Sequence, residues 1–153
     1  MYYNLTYNEQ GLIEPLMYSQ MSVNILNQFV NGCGTEGMGK LVSNKVAGID
    51  IIEACKRHDL MYFLGQNIKD KKISDMVFKY NMYKLIKLAD KNWFVEKVAY
   101  GKAYIYYQAV NWKGSPAFCA KDIKYIPTAY PYFIKYHSEY IENTIKNIYR
   151  ICE

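Results

Sequence analysis

The chain contains no apolar run near the ~18 residues that a membrane span requires. Residues 1–30 carry no basic stretch followed by an apolar core, so no export signal is visible in them. None of the four cysteines forms a C-x-x-C pair, which argues against a zinc site or a thioredoxin-type centre. No G-x-S-x-G elbow offers a serine nucleophile. The lysines are scattered and no zinc finger or RNP motif accompanies them, so nucleic acid is not an expected partner. Internal repeats and low-complexity tracts are missing, and no composition shift marks a domain boundary. A single domain over residues 1–153 is therefore expected.

What is present is a hydrophobic fraction of 51 %, seventeen tyrosines and a formal charge of +5. That is enough apolar material for a sizeable core, and the modest positive charge suits an anionic surface. The most informative stretch is residues 48–62, Gly-Ile-Asp-Ile-Ile-Glu-Ala-Cys-Lys-Arg-His-Asp-Leu-Met-Tyr. Ile51, Ile52, Cys55 and Tyr62 recur at roughly helical spacing, with Lys56, Arg57 and Asp59 on other faces. Asp50 suits the N-cap, and Glu53 three residues on completes a capping-box pattern. His58 and Asp59 then lie about 100° apart around one helix, able to border one cleft, and Tyr62 follows one turn after His58. A base beside a carboxylate suits water activation next to a metal.

Upstream, a weak helical signal covers residues 17–29 after a loose polar start. Residues 31–39 (Asn-Gly-Cys-Gly-Thr-Glu-Gly-Met-Gly) hold four glycines and read as a loop. Their spacing fits neither the dinucleotide fingerprint nor the phosphate-binding loop. Backbone carbonyls and an Asn side chain there are the kind of oxygens that calcium takes.

Downstream, residues 63–72 read as a polar turn with Gly65 near a helix C-cap. A second helix is expected over about 73–89, capped by Ser74 or Asp70, with Asp75, Phe78, Met82, Leu85 and Ile86 along one stripe. A short connection makes this helix antiparallel to the first. Asp75 then approaches His58 as a carboxylate that orients the imidazole through its Nδ1 proton. An aromatic-rich third helix is expected over about 93–110, followed by an irregular tyrosine-rich segment over 114–132 and a last helical stripe (Ile141, Ile145, Ile148, Ile151) over about 138–151. The four cysteines, Cys33, Cys55, Cys119 and Cys152, allow three pairings. A Cys33–Cys55 bond would tie the glycine loop to the helix just before His58 and Asp59; Cys119 and Cys152 would then pair with each other or stay free.

These motifs together resemble the secreted phospholipases A2, most closely the small prokaryotic and fungal branch. The branch's pattern G-x-D-x-x-x-A-C-x-R-H-D-x-x-Y is matched in full by residues 48–62, at eight fixed positions in fifteen. Asn31-Gly32-Cys33 matches its loop, and Asp75 with Phe78 its D-x-x-F element. Tyr106, Tyr107 and Val110 with Gly114, Ala117 and Phe118 match its later tyrosine-rich stretch. The resemblance covers about residues 31–118; residues 119–153 form a tyrosine-rich C-terminal extension beyond it.

The resemblance implies His58 as general base, Asp75 as its orienting carboxylate and Tyr62 in support. It also implies Asp59, Asn31 and Gly32 as calcium ligands, and a Cys33–Cys55 disulfide. The implied fold is all-α and disulfide-stabilised: two antiparallel helices (about 50–64 and 73–89), a calcium loop and additional helices. The implied activity is calcium-dependent hydrolysis of the sn-2 ester of glycerophospholipids, with Ca2+ as cofactor. A membrane or micelle surface is then the partner, with no obligate protein partner, and the setting is secreted or extracellular. The alternative is a phospholipase-like lipid-binding or toxin-like module with little turnover. Two departures stand out. Asn31 occupies a position where close relatives often carry Asp, removing one ligand charge. The spacing from His58 to Asp75 is shorter than usual, so the connecting turn must be tight.

Overall fold

The computed structural model describes residues 4–27, 29, 30, 32, 33, 43–65 and 67–119. The chain is mostly helical, and two short antiparallel hairpins add to the all-helical plan. The first pairs β1 (Leu5–Tyr7) with β2 (Ile13–Pro15) in the register Leu5↔Pro15 to Tyr7↔Ile13. Its turn is closed by the Asn8 side chain, whose Oδ1 accepts the N–H groups of Gln10 (3.0 Å) and Leu12 (2.9 Å). Strands of three residues are too short for alternation to reveal, which is why this segment reads as a polar start. In place of a helix over 17–29 there is a 3-10 turn at Tyr18–Gln20 and a single-turn helix α1 (Val23–Leu26) capped by Ser22.

The second hairpin, β3 (Lys45–Val46) and β4 (Ile49–Asp50), leads directly into the central helix. Its two-residue turn places both Ala47 (φ 48°) and Gly48 (φ 80°) in the left-handed region, as the twist of a tight hairpin requires. Helix α2 spans Ile52–Leu64. It starts two residues later than expected because Asp50 belongs to the hairpin; its Oδ1 still accepts the Ile52 N–H at 2.8 Å. Glu53 does not complete a capping box. It turns instead to Arg57 and Lys56.

Helix α3 covers Ile68–Leu88, beginning five residues before the expected start. The polar character of residues 68–72 reflects a first turn, not a loop. Asn67 caps it, accepting the N–H groups of Lys69 (2.9 Å) and Asp70 (3.1 Å). The contacts of Gly65 with Asp70, Tyr62 with Asp75 and His58 with Phe78 step in opposite directions along the two helices, so α2 and α3 are antiparallel. Helix α4 (Trp93–Lys113) is capped by Asn92, and α5 (Ser115–Cys119) is a short helix where irregular chain was expected. A proline in its first turn costs nothing, since the missing N–H has no partner there. The tyrosine-rich segment from 120 onward and the stripe at 138–151 lie outside the described residues.

One apolar cluster joins Met17, Met21, Leu26 and Val30 to Leu60, Met61 and Leu64 of α2. The other packs Ile51, Ala54 and Cys55 against Phe78, Met82 and Ile86 of α3 and Ala99, Ala103 and Val110 of α4. The first hairpin is fastened at two points. The buried Asn81 amide pairs with the Ile13 backbone in both directions, each bond 2.8 Å. Arg57 reaches the buried Glu14 through Nε (2.8 Å) and Nη2 (2.7 Å). The same guanidinium donates from Nη1 to Glu53 and lies 4.3 Å from the Tyr18 ring centroid. The face of α4 turned away from the core carries Trp93, Phe94, Val98, Ile105 and Trp112, all exposed. Among the described residues no helix is long and apolar enough to cross a membrane.

Candidate functional site

Helix α2 presents His58 to the interior, 6 % exposed, between the rings of Tyr62 (centroids 4.0 Å apart) and Phe78 (4.7 Å). The antiparallel α3 brings the fully buried Asp75 against it, with His58 Nε2 to Asp75 Oδ1 at 2.9 Å. The nitrogen differs from the expected one: Asp75 takes Nε2 and leaves Nδ1 to face elsewhere. Residue spacing fixes which helices meet, but the side-chain torsions decide which edge of the ring meets the carboxylate. Tyr62 donates its hydroxyl to the same Oδ1 at 2.6 Å.

Sequence reading does not single out Lys71, whose Nζ donates to Asp75 Oδ2 at 2.8 Å and to the Val110 carbonyl at 3.0 Å. Its signal is the four-residue spacing to Asp75, which becomes meaningful only once α3 begins at Ile68. The partners of the tyrosine-rich stretch also acquire reasons. Gly114 lies so close to the Tyr62 hydroxyl that a Cβ there would collide with it. Phe118 meets the Tyr62 ring edge-on at 5.4 Å. Tyr106 accepts the Ser43 N–H at 3.2 Å, tying α4 to the residues that lead into β3.

Burial disfavours the imidazolium and pushes the His58 pKa down; the hydrogen bond and charge of Asp75 oppose this, and the Lys71 charge adds to it. For Asp75, burial works against the charged form. The bonds and charge of His58, with the bonds from Lys71 and Tyr62, outweigh it and hold the carboxyl below its ordinary range. The Tyr62 hydroxyl is driven up by burial and by the Asp75 charge, so it remains a donor. At neutral pH the site is thus a neutral imidazole on an ionised carboxylate.

Asp59 stands next along α2, half-buried, and its Oδ2 accepts the N–H of Gly32 at 3.1 Å. Gly32 has φ +87°, a conformation that side chains rarely adopt, and its backbone packs beside Asn44 and Ile52. Asn44 Oδ1 also accepts the Cys33 N–H at 3.0 Å. Cys33 is bonded to Cys55, one turn before Asp59, with the Cα atoms 5.1 Å apart. The disulfide and the Asp59–Gly32 bond therefore hold Gly32 and Cys33 against α2. Asn31 and residues 34–42 lie outside the described residues. Among those described, no group of three or more His, Cys, Asp or Glu side chains is placed to hold a metal ion. The Asp59 carboxylate is a hard oxygen donor, the kind that calcium takes and a soft metal does not favour. Comparison with family models, with curated proteins and with solved structures finds no match for this chain.

Proposed function

We propose that this protein is a calcium-dependent phospholipase A2, hydrolysing the sn-2 ester of glycerophospholipids. The observation that carries the reading is the adjacency of two arrangements on one helix: the buried His58–Asp75 pair and, one residue later, Asp59 bound to the loop amide of Gly32. In this reading Nδ1 of His58 takes a proton from water as the water oxygen attacks the ester carbonyl. Asp75 holds the ring through Nε2 and balances the imidazolium that forms. His58 then returns the proton to the departing glycerol oxygen, so that water and ester become free fatty acid and lysophospholipid. Calcium held by Asp59, Asn31 and Gly32 would supply charge for the lipid phosphate and for the developing oxyanion. The disulfide suits an oxidising, extracellular setting, and lipid surface is the partner that the substrate implies.

The test is fatty-acid release from mixed phospholipid micelles, with calcium and with a chelator. Release that requires calcium is expected; no release under either condition removes the proposal. Calorimetric calcium titration of Asp59→Asn adds a second check. Removing the one ligand charge should weaken binding by roughly 10-fold or more, and unchanged affinity would place the metal elsewhere.

A further inference from the structure

Asp75 receives three donors from two helices. Tyr62 and His58 both reach Oδ1, and Lys71 alone reaches Oδ2, at 2.8 Å. Lys71 is itself only 2 % exposed. Its ammonium also donates to the carbonyl oxygens of Val110 (3.0 Å) and Asn111 (3.3 Å) in the last turn of α4. One carboxylate and two carbonyls account for all three N–H groups of an ammonium. The lysine is thus fixed from α3 by its backbone and from α4 by its head group.

Consider Asp75 with that ammonium removed. A working base must be neutral, so the carboxylate would be the only charge of the pair, buried, with one neutral hydroxyl and one imidazole N–H for company. An isolated charge in such a place is expensive and is relieved by moving a proton. Asp75 can take a proton and donate it toward Nε2, which leaves the imidazole proton on Nδ1. That transfer consumes the Nδ1 lone pair. An ammonium on Oδ2 removes the need for it.

We propose that Lys71 is a positioning residue for His58: by pairing with Oδ2 it keeps Asp75 a hydrogen-bond acceptor, which holds the imidazole proton on Nε2 and leaves Nδ1 bare. The consequence for turnover rests on the phospholipase reading, but the position of the proton does not.

The experiment is 15N NMR of histidine-labelled, oxidised full-length protein at neutral pH, as the parent, Lys71→Met and Lys71→Gln. The signals of His58 are assigned by their loss in His58→Gln. The parent should show a proton on Nε2 and a bare Nδ1, and both variants a proton on Nδ1. In micelle assays the variants should lose roughly 10–100-fold in kcat with KM little changed. A folded Lys71 variant that keeps a bare Nδ1 overturns the proposal. If neither variant folds, the parent decides: a protonated Asp75 carboxyl or a proton on Nδ1 overturns it, and an ionised Asp75 beside an Nε2 proton supports it. A tautomer change without phospholipid hydrolysis by any form, the parent included, supports the role of Lys71 and removes the phospholipase reading instead.

Discussion

Arg57 and His58 follow one another on α2, both buried, and they meet opposite company. Arg57 is held by the carboxylates of Glu14 and Glu53 and by the Glu53 carbonyl. That network joins the first hairpin to the central helix. His58 enters a network in which one member is neutral and can change, set between aromatic rings and the Asp75 carboxylate that also holds the Lys71 ammonium. Two adjacent positions therefore separate a fastening from a group whose charge can change.

The largest expected effect breaks the second network. His58→Gln should retain the fold and lose roughly 10²–10⁴-fold of phospholipid hydrolysis, the usual worth of a positioned base. Parental rates in that variant would remove His58 from the chemistry. Arg57→Met breaks the first network and should act on stability instead. It leaves Glu14 buried without its cation, at a cost of about 3–5 kcal/mol, read from urea unfolding, with turnover per folded molecule preserved. Next comes reduction of Cys33–Cys55, which opens a loop of sequence separation 22. Chain entropy assigns such a loop about 3 kcal/mol, and calcium affinity should fall before the domain unfolds.

The smallest effect is the pH dependence of stability, which sharpens the histidine side of the comparison. The pKa of His58 is lower folded than unfolded, so the unfolded chain binds the extra proton first. Stability should be full above the ordinary histidine value of about 6.5 and decline as pH drops below it. The lowered Asp75 adds a second decline, setting in as pH falls to the ordinary carboxylate range. His58→Gln should abolish the first decline and shrink the second, because the bond and charge of His58 also hold Asp75 down; a first decline that persists would assign it to another group.

The parts of this arrangement legible in the sequence are those set by spacing along a helix or by a dense local motif. Residues 48–62 announce helix α2, and a short connection with Asp75 on an apolar stripe is enough to bring that carboxylate to His58. The link from Cys33 to Cys55 is the one implied by the resemblance of the motifs, and it is present in the structure. The rest depends on distant neighbours. Lys71 and Arg57 are residue types that normally face water, and their burial is possible only because Asp75, Glu14 and the α4 carbonyls converge from elsewhere. The start of α3 is hidden because three of the four residues in its first turn, Lys69, Asp70 and Lys71, are charged, and capping by Asn67 resembles a turn signal. The hairpins are shorter than any periodicity can register.

The two tryptophans of the chain, Trp93 and Trp112, are 67 % and 85 % exposed on α4. Indole emission responds to the polarity around the ring, and both rings already sit in water. Unfolding should therefore shift the fluorescence of this protein very little, although the core dissolves around Phe78 and Met82. Loss of the fold has to be followed by backbone circular dichroism or by amide exchange. Tryptophan fluorescence is left as a nearly pure gauge of events on the outer face of α4.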